Sequence, residues 1–287
     1  MKISEQKLTF AARDGAPLGG VLIAPKSPIA GLLISSATAV TTDFYAHFAK
    51  YAAQRGFACL LYDCRGVGSS RPEHLRGYQA TMADWGQLDA SGALDELERQ
   101  VPNLPLFTLG HSVGGHFIGF MDNHAKATAH AFIAVGSGYW GGHWAKDWVM
   151  EFIFFWILGP WNLFRHGYLQ HGGRWQGTDL PAGVYSQWRS WCLNPKYLWP
   201  DVSSGRLGRH WFGEVKEPIR SYGFTDDPVV NPKTLPVVLD WYSRAPKETI
   251  WVEPASIGSD RIGHMGAFSR KNAKFWELPL DWFESLI

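Results

Sequence analysis

The sharpest constraint on the fold is residues 110–115, Gly-His-Ser-Val-Gly-Gly. The run 105–109 before them is apolar, as in a buried strand, and residues 116–121 after them can continue as a helix. A chain that passes from strand to helix so quickly must bend sharply, with a strained residue at the bend and neighbours without bulk. The pattern therefore predicts a turn that exposes the Ser112 hydroxyl at a sheet end and directs the Val113 amide at any oxyanion formed there.

Two other interpretations of this turn stay open on the motif alone. Gly-x-Ser-x-Gly recurs by chance, and a glycine-rich turn from strand to helix can be no more than a turn. A phosphate-binding loop is less consistent with it, because there is no Gly-Lys-Ser/Thr and the glycines do not fit Gly-x-Gly-x-x-Gly. The flanking strand and helix favour a nucleophilic serine, since that motif requires this context.

Strand and helix patterns alternate around the turn. Two short β-type runs, 7–10 and 20–24, flank Asp14-Gly15, a strong hairpin signal. From residue 29 to residue 135 the order strand, helix, strand, helix, strand, helix, strand predicts a parallel sheet with helices on both faces. Ligands then bind at the carboxyl ends of the strands. The predicted strands are 29–34, 57–62, 105–109 and 129–135, and the predicted helices are 44–55, 84–101 and one from the turn to about residue 123.

The alternation stops between residues 139 and 217. We interpret this segment as a mostly helical lid inserted into an α/β core of residues 1–138 and 218–287, with short helices around 144–158 and 185–193. Most of its tryptophans are expected to pack the lid onto the core and a minority to line an apolar pocket. Ten of the 15 tryptophans lie here: Trp140, Trp144, Trp148, Trp156, Trp161, Trp175, Trp188, Trp191, Trp199 and Trp211.

The sheet pattern resumes after this segment, and two polar motifs follow its strands. The strand 218–224 runs into Asp226-Asp227, and the strand 249–252 is followed by Gly263-His264. Further helices are expected at 235–242 and within 272–287. A lone histidine in a glycine-rich loop is commonly structural, and Asp before Pro is a common turn.

Ser112, an aspartate and His264 nevertheless stand in that order at the ends of successive strands. A serine hydroxyl is a poor nucleophile unless a base accepts its proton and an acid orients that base. The joint occurrence of the three side chains predicts nucleophilic catalysis.

At these residues the sequence resembles the α/β-hydrolase superfamily, in its branch of lidded serine hydrolases of the aminopeptidase and esterase type. The resemblance rests on residues 110–114, on Gly263-His264 and on residues 63–70, which match Asp-x-Arg-Gly-x-Gly-x-Ser. It implies that Ser112 is the nucleophile, His264 the base and an aspartate the orienting acid.

Two details of this resemblance are open. Asp226 fits the family's Gly-x-x-Asp and Asp227 fits its Asp-x-Val-Val; we favour Asp227, because the predicted strand ends at residue 224. The usual His-Gly after the third strand is replaced by residues 36–37, Ser-Ala. One oxyanion donor is expected to be the Val113 amide, and the other the backbone near Thr38.

Composition and charge limit which partners, cofactors and cellular compartments are expected for this chain. A net charge of +1 gives no reason to expect nucleic acid as a partner. The 11 histidines lack the spacing of a metal site, and no cofactor is expected. Three sparse cysteines favour a reducing compartment, and without a signal-peptide pattern we expect a cytoplasmic protein. The apolar run 149–158 is too short to span a bilayer, and burial of residues 152–158 within the lid is favoured over lipid association.

The leading hypothesis is a hydrolase of carboxylic esters or thioesters with an apolar acyl group, acting on a small-molecule substrate. An acyltransferase or a peptidase on the same residues is the alternative, and a peptidase would use Glu151, Asp179 or Glu214 to bind an amine. A non-catalytic relative that binds a ligand is the alternative of another class. Branches with an aspartate nucleophile are disfavoured, because this position holds Ser112.

Overall fold

The computed structural model describes residues 2–172 and 177–287, so Trp175 lies outside the described residues. The core strands are β1 (Ile3–Ala11), β2 (Pro17–Pro25), β3 (Ala30–Ser35), β4 (Phe57–Tyr62), β5 (Leu106–His111), β6 (Ala127–Ile133), β9 (Ile219–Phe224) and β10 (Lys247–Val252). Two short strands, β7 (Tyr168–Leu169) and β8 (Leu180–Pro181), pair only with each other. The core strands form one eight-stranded sheet in the order β1-β2-β4-β3-β5-β6-β9-β10. β2 is antiparallel to both of its neighbours and the pairs from β3 to β10 are parallel, which confirms the predicted α/β-hydrolase fold with a mostly parallel sheet.

Burial explains which strands the sequence predicts best. β3, β4 and β5 are buried at every residue, so their sequences are continuous apolar runs covered by helices on both faces. β1 and β10 are the edge strands and are largely exposed. The predicted hairpin is confirmed, and Gly15 in its turn has a φ of +85°, which glycine adopts without strain.

The helices are short, and several continue into 3₁₀ or π-helical turns. They are α1 (Ala46–Gln54), α2 (Met82–Asp84), α3 (Ser91–Gln100), α4 (Val113–His116), α5 (Trp148–Phe152), α6 (Gly159–His166), α7 (Ala182–Cys192), α8 (Trp199–Ser203), α9 (Leu235–Leu239) and α10 (Glu277–Glu284). A π-helical stretch, Trp85–Ala90, joins α2 to α3, so the predicted helix 84–101 is a composite.

Two predicted helices end early. The helix predicted to reach residue 123 is α4 followed by a 3₁₀ turn, Phe117–Phe120. It stops there because the backbone of Met121 is extended. Gly119 within the turn packs against the Phe212 ring, where an added Cβ would lie 2.0 Å from a ring carbon. The helix predicted over 235–242 is α9, which ends at Leu239.

The Asp-x-Arg-Gly-x-Gly-x-Ser motif joins loops at the carboxyl end of the sheet. The Asp63 carboxylate accepts hydrogen bonds from the amides of Thr42 and Ser69, at 2.9 and 2.7 Å. Arg65 is buried between Asp14 of the hairpin and Asp89 of the π-helical stretch, at 2.8 and 2.7 Å. These contacts fix the loops after β3 and β4 relative to each other.

Residues 139–217 lie between β6 and β9 and contain α5 to α8. Helical structure is continuous from Ala145 to His166, with a π-helical stretch, Ile153–Leu158, in the middle. The expected burial of residues 152–158 is wrong, because Phe155 is buried but Phe152, Trp156 and Ile157 are exposed. No helix among the described residues combines the length and apolar character needed to cross a membrane.

The tryptophans of this segment also differ from expectation. Among its described tryptophans, only Trp191 is buried. Those that are exposed are Trp144, Trp148, Trp156 and Trp161. Trp140, Trp188 and Trp199 are half-buried and pack against the core, so with Trp191 core packing accounts for four of the segment's nine described tryptophans.

Candidate active site

The turn at Ser112 has the strained geometry that its glycines predict. Ser112 has φ of +53° and ψ of −124°, a conformation that non-glycine residues rarely adopt. A Cβ on Gly110 would lie 2.4 Å from the backbone nitrogen of Gly115, and one on Gly114 would lie 2.3 Å from the carbonyl oxygen of Ser35. The strand and helix can meet this closely only without side chains at Gly110 and Gly114.

The three side chains singled out in the sequence meet at this turn. The Ser112 hydroxyl lies 3.0 Å from Nε2 of His264, and Nδ1 of His264 lies 2.9 Å from a carboxylate oxygen of Asp227. Because a carboxylate only accepts, Nδ1 donates to Asp227 and Nε2 is left to accept from the hydroxyl. Ser112 and His264 are partly exposed, whereas the Asp227 side chain is fully buried. This is the arrangement in which a histidine can activate a serine.

The two adjacent aspartates have separate contacts. The other carboxylate oxygen of Asp227 accepts from the amides of Val229 and Val230, at 2.8 and 3.0 Å. Asp226 instead accepts from the amides of Ile262 and Gly263, both at 2.9 Å. Asp227 therefore contacts the imidazole, and Asp226 holds the backbone of the loop that carries it.

The two predicted oxyanion donors follow adjacent strands. Val113 begins α4, directly after Ser112, and Thr38 follows β3, which pairs with β5 so that Ser35 lies opposite Gly110. Among the described residues, neither the Val113 nor the Thr38 amide donates to a protein acceptor. Both remain predictions as oxyanion donors.

One feature that sequence reasoning missed is a buried chain of hydrogen bonds beneath the site. Nε2 of His111 lies 2.9 Å from the backbone carbonyl of His264, and Nδ1 lies 2.8 Å from the Tyr45 hydroxyl. That hydroxyl accepts from the Ala37 amide at 2.8 Å. Since a carbonyl only accepts, His111 donates through Nε2 and accepts a hydrogen bond from the Tyr45 hydroxyl at Nδ1. The chain links the loop of Thr38 to the loop of the imidazole.

Burial keeps this chain in one protonation state. Desolvation, with a smaller contribution from the charge of His264, lowers the pKa of His111 to about 3, so His111 is neutral at neutral pH. Desolvation also raises the pKa of Tyr45 well above its ordinary value. The Phe268 ring packs on both, with centroids 5.1 Å from His111 and 4.7 Å from Tyr45. The available signal in the sequence was an ionisable residue at the end of an otherwise apolar strand.

The 139–217 segment is bonded to loops on both sides of Ser112. The Thr178 amide donates to the carbonyl of Ala39, next to Thr38, at 2.8 Å. The Trp144 amide donates to the carbonyl of Pro228, next to Asp227, at 3.1 Å. These two bonds hold parts of the segment beside Thr38 and beside Asp227.

Comparison with known families covers the part of the chain that carries Ser112. A family model described as the serine aminopeptidase S33 family matches residues 26–176, just over half of the 287-residue chain. The chain belongs to this S33 family. It is therefore a hydrolase of the α/β-hydrolase superfamily, which confirms the resemblance drawn from its motifs. No curated protein matches the sequence significantly.

Solved structures share the fold of this S33 hydrolase. A thermostable carboxyl esterase from Bacillus coagulans is similar with a TM-score of 0.64 and 14% identity, over 99% of both chains. A hypothetical protein from Pseudomonas aeruginosa gives 0.62 and 16%, over 100% of this chain and 94% of that one. An esterase from Pyrococcus furiosus gives 0.60 and 13%, over 99% and 91%. At these identities the similarity establishes the fold alone.

Proposed function

We propose that this protein hydrolyses a carboxylic ester or thioester with an apolar acyl group, through an acyl-enzyme on Ser112. The observation that supports it most is the hydrogen-bonded line from the Ser112 hydroxyl to His264 and Asp227, at 3.0 and 2.9 Å. The line begins at a partly exposed serine held in a strained turn, which is the arrangement that nucleophilic acyl transfer requires.

The proposed reaction proceeds in two halves. Ser112 Oγ attacks the acyl carbonyl while its proton passes to Nε2 of His264, and Asp227 holds the opposite ring nitrogen. The amides of Val113 and Thr38 donate to the oxyanion, and each such donor is worth about 3 kcal/mol of barrier. His264 then returns the proton to the leaving oxygen or sulfur. In the second half His264 takes a proton from water, which attacks the acyl carbon. The bond between that carbon and Ser112 Oγ then breaks, His264 returns the proton to Oγ, and the acid is released.

The apolar acyl preference rests on the 139–217 segment, which we propose acts as a lid over a core of residues 1–138 and 218–287. Its backbone is bonded beside Thr38 and beside Asp227, so a substrate reaching Ser112 passes along it. Rings dominate this segment, and apolar sites are commonly walled by such rings. The proposal needs no cofactor.

Aminopeptidase activity is the second candidate, because the matching family carries that description. Two of the three lid carboxylates considered for binding an amine have a partner on at least one oxygen. Asp179 pairs with Arg71 at 2.8 Å, and Glu151 bonds Nδ1 of His143 at 2.6 Å. Glu214 is exposed. The remaining oxygen of Glu151 is buried without a hydrogen-bond partner, so Glu151 is the residue that a peptidase reading would use.

A fluorophosphonate probe tests the proposed nucleophile. We expect the wild-type protein to be labelled, Ser112→Ala to resist labelling, and Ser190→Ala, which changes an exposed serine on α7, to be labelled like wild type. Labelling of Ser112→Ala at the wild-type rate, or no labelling of folded wild type, would contradict the proposal and favour a non-catalytic relative.

A substrate panel then separates the reactions. p-Nitrophenyl esters of graded acyl length, acyl-thioesters and aminoacyl p-nitroanilides should be compared by kcat/KM. We expect the esters or thioesters to be preferred and the rate to rise with acyl length. A preference for the anilides that is lost in Glu151→Gln would favour the peptidase. An added alcohol acceptor that diverts acyl groups from water would indicate an acyltransferase.

A further inference from the structure

We propose that the helical segment 145–166 docks on the surface of an anionic phospholipid bilayer. Its outward side carries eight large apolar side chains, which we call the apolar face. They are Trp148, Val149, Met150, Phe152, Trp156, Ile157, Trp161 and Phe164, and each is exposed. Soluble monomers seldom expose so many large apolar side chains on one short segment unless something binds them.

The sequence of this stretch is unusual for a water-facing helix. Between residues 148 and 164 the only ionisable side chain is Glu151, which is mostly buried and bonds His143 at 2.6 Å. Three tryptophans and two phenylalanines contribute to the apolar face. Tryptophan is favoured at the boundary between headgroups and acyl chains, where its ring is buried and its N–H stays hydrated.

The opposite side of the segment is packed against the protein, so only the apolar face is free to dock. Phe155 is buried, and the Tyr185 hydroxyl donates to the carbonyl of Phe154 at 3.3 Å. The Arg189 Nε donates to the carbonyl of Phe155 at 2.5 Å. A helix held in this way lies along a surface with its apolar side turned outward, which is the geometry of interfacial binding.

Charge at the border of the apolar face selects an anionic surface as the occupant. Lys146 precedes it and Arg165 follows it, and both are exposed. Arg76 is exposed beside them and donates to the carbonyl of Arg165 at 2.9 Å. The neighbouring carboxylates, Asp147 and Glu151, are half-buried. Cations at both ends of an apolar helix match headgroup phosphates, each contributing about 1 kcal/mol near an anionic membrane.

Vesicle sedimentation tests this proposal without using hydrolysis, so its outcome is independent of the proposed reaction. The protein is mixed with phosphatidylcholine vesicles with and without phosphatidylglycerol. We expect wild type to sediment with the anionic vesicles. Ile157→Ser/Phe164→Ser should bind at least about tenfold more weakly, because two exposed anchors are removed. Lys146→Gln/Arg165→Gln should bind anionic vesicles about fivefold more weakly per cation removed.

The matched control is Leu286→Ser/Ile287→Ser, which removes exposed apolar side chains distant in sequence from the segment. Leu286 and Ile287 are 38% and 56% exposed, against 53% and 81% for Ile157 and Phe164, so the control removes the same kind of exposed side chain but a smaller apolar area. If the test variant does not fold, Val149→Ser/Met150→Ser replaces it. Wild type that sediments with neither vesicle, or variants that bind like wild type, would overturn the proposal. A wild-type dimer that the test variant abolishes, without vesicle binding, would assign the apolar face to a second copy of the chain.

Discussion

Replacing Tyr45 by Phe tests whether the buried chain beneath the site positions the reacting groups. The hydroxyl accepts from the Ala37 amide and donates to His111, both at 2.8 Å and both buried. Its loss leaves two buried polar groups unpaired at about 1–2 kcal/mol each, so we expect about 3 kcal/mol less stability. Ala37 adjoins Thr38 and His111 holds the His264 backbone, so the proposed oxyanion donor and base should both shift.

The expected kinetic effect is bounded by the loss of one oxyanion donor, about 3 kcal/mol or about a hundredfold in kcat. We expect a fall in kcat of between about tenfold and that limit, with KM little changed, measured on the best p-nitrophenyl ester. Tyr222→Phe is the control. Tyr222 is also buried, and its hydroxyl donates to the carbonyl of Leu278 at 3.1 Å, a contact that lies away from the site. Tyr222→Phe should lose stability and keep kcat. A Tyr45→Phe enzyme with wild-type kcat would refute the positioning role.

Three further predictions follow from the described contacts. Asp227→Asn should lower kcat by about 10⁴-fold, because the His264 imidazole loses its orienting acceptor. Asp226→Asn should chiefly lower the melting temperature, and equal losses of kcat in the two variants would argue against these separate roles. Burial lowers the pKa of His111 to about 3 and of His116 to about 4, so the stability from their neutral forms is complete above pH 6.5 and declines as pH falls towards those values. Urea unfolding should show about 2 kcal/mol lost per histidine between about pH 8 and about pH 5, and a flat profile would contradict it. Gly114→Ala should destabilise the fold by about 3 kcal/mol or more, seen in its melting temperature, because the new Cβ meets backbone oxygen at 2.3 Å.

The sheet could be predicted from the sequence because its central strands are buried on both faces. β4 has the predicted bounds, 57–62, and β3 and β5 differ by one or two residues. The Ser112 turn was also predictable, because only glycine, which has no Cβ, fits at positions 110 and 114. These features depend on local sterics and on continuous apolar patterns, which a sequence displays directly.

Features set by contacts between distant residues were harder to predict. Asp226 and Asp227 are adjacent, and only the position of the loop after β10 determines which one faces the imidazole. The Tyr45–His111 pair joins residues 66 positions apart, so spacing gave no signal. Exposure of Phe152 and Trp156 was missed because apolar composition predicts burial unless another surface is involved.

The loop that carries His264 follows β10, an edge strand with a neighbour on one side only. Edge strands detach at a lower free-energy cost than the centre of a sheet, where Ser112 is anchored. On warming, His264 should separate from Ser112 while the central strands remain paired. The enzyme would then lose activity while its far-ultraviolet circular dichroism is still that of the folded protein. Cooling would restore turnover without refolding of the core.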